Sequence, residues 1–348
     1  MKNKNPFFLL IFVIFFSLTS SLFALPYDFG LSFEPLYTRQ KGTLYEYVIA
    51  KDETSGDDVK MSQLDWNLKN LSYLGARFSL DWKYVSLITE VSATISKDSG
   101  TMEDYDWLDF TSKTTESGDV LYYYNDSSLC TTKSINENYI DDSVFLDLKI
   151  RGNLNPIFDL QINPFVGLHY YYISFRACNG YGWYGSSYYS STGKNVSYDD
   201  PAALAIEAGN LFGLDYSRRA FTCYFGAAIG YKFFNRISLS FYGSLSPYSY
   251  IDSLDFHHSD FAGTKGNFYY DVMSDFFKEF QLGGYIECLI WDKISFEVSV
   301  DYYRQKLIKG TTKIASNRNM KAATTSSTAS GSEAKYWNLK FGLKWTFD

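Results

Sequence analysis

Two short stretches carry residues whose types and spacing could do chemistry. The first, "SGTMEDYDWLDF" from Ser99 to Phe110, packs four carboxylates (Glu103, Asp104, Asp106, Asp109) among a tyrosine, a tryptophan and a phenylalanine. A loop built only for water has no use for three rings, and a core segment could not hold four carboxylates without partners. In extended backbone Asp104 and Asp106 point to one side while Tyr105 and Trp107 point to the other. Two such carboxylates raise each other's proton affinity and can hold a water between them, which suits acid–base work. The second stretch, "LDFHHSD", holds two of the chain's three histidines, and it sets Asp255 and His257 on one side of a strand. A carboxylate beside an imidazole fixes its tautomer and stabilises the protonated ring. Either pair alone is also what a solvated loop carries. A metal held by the two aspartates and His257 would be a hard or borderline divalent ion, but pairs on separate loops lack a compact ligand motif, so neither metal nor cofactor is expected.

The elements that must position these pairs announce themselves by strict alternation. From Trp337 to Phe347 every odd position is apolar (Trp337, Leu339, Phe341, Leu343, Trp345, Phe347) and every even one is polar or glycine. The same period recurs at Ile294, Phe296, Val298 and Val300, at Val144, Leu146, Leu148 and Ile150, and at Ile237, Leu239 and Phe241. A soluble sandwich also alternates, but here the polar phases carry Lys, Arg, Asp and Glu deep within long strands, as a hydrated barrel lumen does, and aromatics gather at strand ends. Short turns ("DWKY", "NLNP", "FFNR", "WDK") alternate with long polar segments near residues 51–58, 98–137, 179–210, 258–268 and 310–334. The expected fold is therefore all-β: a ten-stranded antiparallel transmembrane β-barrel with long extracellular loops and short periplasmic turns. "ATTSSTASGSEA" is expected to be a flexible polar loop.

Composition agrees. Tyr and Phe number 31 and 29, against 7 Pro, which favours strands. Residues 1–24 order charge, apolar core and small residues as a secretory signal does, leaving 25–348 as one domain in the outer membrane. A net charge of −7 without clustered Lys and Arg argues against nucleic acid and for cationic partners. The four cysteines have no C-x-x-C spacing; Cys223 and Cys288 share apolar strand phases, and export permits a Cys130–Cys178 bridge that nothing in the spacing demands.

"SQLDW" at 62–66, "GTMEDYDW" at 100–107 and "LDFHH" at 254–258, with "YISFRACNGYGWYGS" and "YYRQKLIKGTT", resemble the omptin family of outer-membrane endopeptidases in order and position from about Gly30 to Phe347. The resemblance implies a ten-stranded barrel whose groove faces the exterior and cleaves peptides at basic residues. It implies Asp104, Asp106, Asp255 and His257 as the catalytic set, and Glu46 in "GTLYEYV" as the receptor of a basic side chain. Outer-membrane lipid, glycolipid included, is the other implied partner. The family's second acid two residues before the D-x-H aspartate is replaced by Ser253, which implies a looser basic preference. The competing reading is a non-catalytic outer-membrane barrel, an adhesin or a pore.

Overall fold

Alternating strands make a sheet with two unlike faces, and closing it on itself leaves no exposed edge. The computed structural model describes residues 30–157, 159–211, 213–258 and 266–347, so the expected signal segment 1–24 lies outside the described residues. In chain order the strands are β1 (Gly30–Lys51), β2 (Asp58–Asp81), β3 (Val85–Thr94), β4 (Asp98–Asp106), β5 (Phe110–Thr114), β6 (Val120–Tyr124), β7 (Thr132–Gly152) and β8 (Leu154–Ile157). They continue with β9 (Leu160–Tyr184), β10 (Leu204–Leu211), β11 (Leu214–Phe233), β12 (Ile237–His257), β13 (Phe268–Asp275), β14 (Glu279–Trp291), β15 (Ile294–Ala315) and β16 (Thr324–Phe347). Counting β3 with β4 and β13 with β14 as single staves gives a ring of ten, closed where β16 pairs antiparallel with β1. β5 and β6 form a separate hairpin, and β8 and β10 are short pieces paired to β9.

The half of the barrel at the short-turn end has the lipid code read from the sequence. Phe296 sits beside Leu343 and Val298 beside Phe341 on the outer surface, while Ser295, Glu297, Ser299 and Asp301 are buried inside. Trp82, Tyr84, Phe233, Phe234, Trp291 and Phe347 stand exposed around the short turns, as an interfacial girdle does. Inside, Arg77 meets Glu34 at 2.8 Å, Glu297 at 2.8 Å and Glu90 at 3.1 Å, and Lys340 meets Glu90 at 2.7 Å, around a polar cavity of about 200 Å³.

Toward the long-loop end the interior changes character, and large apolar side chains turn inward beside buried polar ones. Trp66 stacks on Phe175 at 5.2 Å and on Tyr216 at 5.0 Å, three rings from three staves. The hydroxyls of Tyr73 and Tyr171 both donate to Gln40 Oε1, at 3.1 and 3.3 Å. Leu44, Leu68, Met102, Ile173, Ile251 and Ile308 complete this core, which plugs the interior above the polar cavity.

Bulges exchange the inward phase in β2, β7, β12 and β15, and the register defines those of β2 and β12. In β2 Lys41 of β1 is opposed by both Lys69 and Asn70, and Asn70 takes the left-handed φ of 59° that asparagine tolerates. In β12 Tyr224 of β11 is opposed by both Ser246 and Pro247. Proline has no N–H to give a ladder and is accommodated at such a bulge. Below it the even residues Ser240 and Ser244 face in; above it the odd residues Ile251, Ser253 and Asp255 do.

The long loops are shorter than the sequence suggested. Residues 98–106, 132–137 and 179–184 are strand, and β15 and β16 run to 315 and from 324. "ATTSSTASGSEA" is almost wholly in β16, with Ser330, Ser332 and Ala334 buried, which corrects the expectation of a flexible loop. Beyond the apolar belt the outer face needs no hydrocarbon character, so a Ser/Thr-rich strand reads as a loop by composition alone. All four cysteines are free thiols; the Cys130–Cys178 bridge is not formed.

Candidate active site

The bulge at Ser246–Pro247 decides which way the D-x-H pair looks. Continued without a bulge, the odd phase of Ile237, Leu239 and Phe241 would carry Asp255 and His257 onto the outer surface. The one-residue insertion turns both inward, and His257 Nε2 lies 2.5 Å from Asp255 Oδ2. Asp255 is 3% exposed, whereas the imidazole side chain is 46% exposed, open to the mouth of the barrel. His258 takes the opposite phase and meets Asp215 at 3.2 Å, and His169 is far below beside Asp147.

Across the mouth, β4 runs between β2 and β7, with Asp104 opposite Leu64 and Ser134 and Asp106 opposite Ser62 and Thr132. Ser62 Oγ donates to Asp104 Oδ1 at 3.4 Å. The rings interleaved with these acids face outward: Lys60 Nζ lies 3.9 Å from the Trp107 ring centroid and Lys133 Nζ 5.0 Å from that of Tyr105. Phe110 instead packs within the β5–β6 hairpin against Tyr122 and Tyr124, at 5.2 Å from each. The stretch thus has two faces, with Asp104 and Asp106 inward and the cation-capped rings outward beside Glu103, which accepts from the Tyr105 hydroxyl at 2.6 Å.

Glu46 is paired with Leu64 on one side and Ser332 on the other, which puts it on the same cross-strand row as Asp104. It is buried, and Trp66 Nε1 donates to its Oε2 at 3.3 Å.

These groups lie above the lipid belt, and they feel one another. Burial first, then the Asp106 carboxylate, pushes Asp104 well above the usual carboxylate range, and burial raises Asp106 to about 6. Burial, with Asp255 and Asp271 adding, holds Glu46 well up. For His257 burial disfavours the charged ring, but Asp255 outweighs it and Asp104 and Asp106 assist, so its pKa is raised to about 8. The arrangement is an imidazole oriented by one carboxylate, facing a buried carboxylate pair whose proton affinity is raised. Among the described residues no three metal-ligating side chains converge.

Asp271, buried on β13, was not singled out in the sequence. Ser253 Oγ donates to its Oδ2 at 3.1 Å and Thr312 Oγ1 to its Oδ1 at 2.6 Å, and burial raises it to about 6. Its only sequence signal is a lone acid on the inward phase of "FYYDVM".

Three comparisons bear on this geometry. The outer membrane protease OmpT from Escherichia coli matches with a TM-score of 0.73 at 20% identity, over 92% of this chain and 99% of that one. The translocator domain of the autotransporter NalP from Neisseria meningitidis covers 95% of this chain and 92% of its own at 9% identity, with a TM-score of 0.35 from which nothing is inferred. No curated protein matches by sequence. The Omptin family model matches residues 40–347, nearly the whole described barrel. The chain belongs to the omptin family of outer-membrane proteases.

Proposed function

We propose that this protein is an endopeptidase that cleaves at basic residues through an activated water, from a groove open to the cell exterior. In this reading His257, oriented by Asp255, takes a proton from a water that Asp104 and Asp106 hold; the water attacks the peptide carbonyl, and no covalent intermediate forms. Glu46 receives a basic side chain of the substrate. The observation that carries the reading is the Asp255–His257 contact at 2.5 Å, opposite a buried carboxylate pair whose charge the imidazole feels. The lipid around the belt, glycolipid included, is the second partner.

The competing reading of a pore is disfavoured by the stacked core of Trp66, Phe175 and Tyr216 across the interior. Adhesion through the long loops is compatible with proteolysis. The deciding experiment is digestion of a peptide library by the protein refolded with outer-membrane lipid. Cleavage next to Arg or Lys, insensitive to serine and cysteine traps and to chelators, is the expected result. Absence of any cleavage by a correctly assembled barrel would overturn the reading in favour of a passive one.

A further inference from the structure

Asp271 is a buried acid that the hydrolytic step does not use. Its neighbourhood is buried and rich in acids: after burial, Asp255 bears on both Glu46 and Asp271, Asp104 also bears on Glu46, and the one imidazole nearby, His257, is turned to Asp255. The buried cation at this level, Arg218, does not offset these acids. Its guanidinium donates to Gln305 Oε1 and, at 3.2 Å, to Ser332 Oγ, and among the described residues no carboxylate lies within ion-pair distance of it. Asp255 is 3% exposed, yet its Oδ1 has no hydrogen-bond partner. Desolvated carboxylates with an unfilled acceptor form a receptor waiting for a cation.

Asp271 is also held where such a receptor needs it. It is the direct cross-strand partner of Ser253, which lies two residues below Asp255 on the same inward phase of β12. An acid on β13 therefore stands about 5 Å, one strand spacing, from where an acid at 253 would stand. The Ser253 and Thr312 hydroxyls fix the carboxylate by one hydrogen bond to each oxygen, leaving its other lone pairs for a ligand.

We infer that Asp271 is the second acid of the specificity pocket, acting with Glu46 on one guanidinium or ammonium group of the substrate, so that Ser253 does not loosen the basic preference. The inference rests on the proposed protease reading. The test compares kcat/KM for matched peptides with Arg or Ala at the pocket position, in the full barrel refolded with lipid. Asp271→Asn keeps the size and one of the two accepting oxygens but removes the charge; the Arg/Ala ratio is expected to fall about tenfold or more, chiefly through KM for the Arg peptide. The swap Ser253→Asp with Asp271→Ser returns the acid to β12 and is expected to restore most of that ratio, a recovery that a merely structural role for Asp271 would not give. The swap also decides the matter should Asp271→Asn fail to assemble. If Asp271→Asn keeps the ratio within about twofold while Glu46→Ala collapses it, or if the swap leaves the ratio low, Asp271 has no such role and the protease reading stands. If the wild type cuts no peptide, the protease reading itself falls and takes this inference with it.

Discussion

At the scale of single residues, the proposed mechanism makes the His257 imidazole the group whose protonation decides turnover. A general base must be neutral, and His257 is raised from an ordinary 6.5 to about 8. The rate at subsaturating substrate is therefore expected to climb through pH about 8 as the ring loses its proton. Asp255→Asn removes the strongest influence raising that value, so the rising limb should move to lower pH while the maximal rate drops by roughly 10²–10⁴; a limb that stays put would remove Asp255 from the role of orienting acid. The same shift gives a stability signature of opposite sense. His257 contributes fully below pH 6.5, and its contribution is lost as pH rises through about 8, so the wild type's margin over His257→Ala in urea should shrink from pH 6 to 9. His257→Ala should abolish cleavage and His258→Ala should not, because only the former faces the mouth with a carboxylate 2.5 Å away. Asp104, Asp106, Asp255 and His257 were legible because a two-residue spacing puts side chains on one face of any strand. Asp271 was not, since its companions are neighbours across strands, and register is absent from a one-dimensional reading.

At the scale of elements, the alternation was legible wherever lipid enforces it, in β7, β15 and the second half of β16. It was misread above the belt, where hydrocarbon no longer dictates the outer face and strands such as 324–334 look like linkers. Bulges such as those of β2 and β12 let one strand exchange its faces between the two environments, whereas β11 keeps one inward phase throughout and β9 does so from Phe165 to Ala177. Each of these two bulges adds a single residue, and because side chains alternate with period two, one residue exchanges the faces for everything beyond it. Deleting Ser246 should therefore leave a barrel that assembles, as judged by its heat-modifiable gel mobility, but turn Asp255 and His257 to the outside and eliminate cleavage. Cleavage by an assembled deletion variant would refute the role given to this bulge.

At the scale of the whole molecule, the barrel joins a lower part with charges inside and apolar residues outside to an upper part whose interior combines an aromatic and aliphatic core with buried acids and Arg218. Phe296 and Ser295 are adjacent but sit on opposite faces of the lower part. Phe296→Arg should impair assembly, since a midplane arginine on the lipid face costs roughly 2–4 kcal/mol, whereas Ser295→Ala should be tolerated. Equal folding yields into lipid for the two variants would contradict the assignment of faces.

The aromatic stopper between the two parts has a physiological corollary. Water and ions in the lower chamber are separated from the mouth by Trp66, Phe175, Tyr216 and the layer around them. With the mouth outward, as proposed, peptides arrive from the surroundings and fragments return to them, and nothing made in the periplasm can be drained or digested through this route. A cell could therefore carry many copies without weakening its permeability barrier, and the enzyme's reach would end at its own surface.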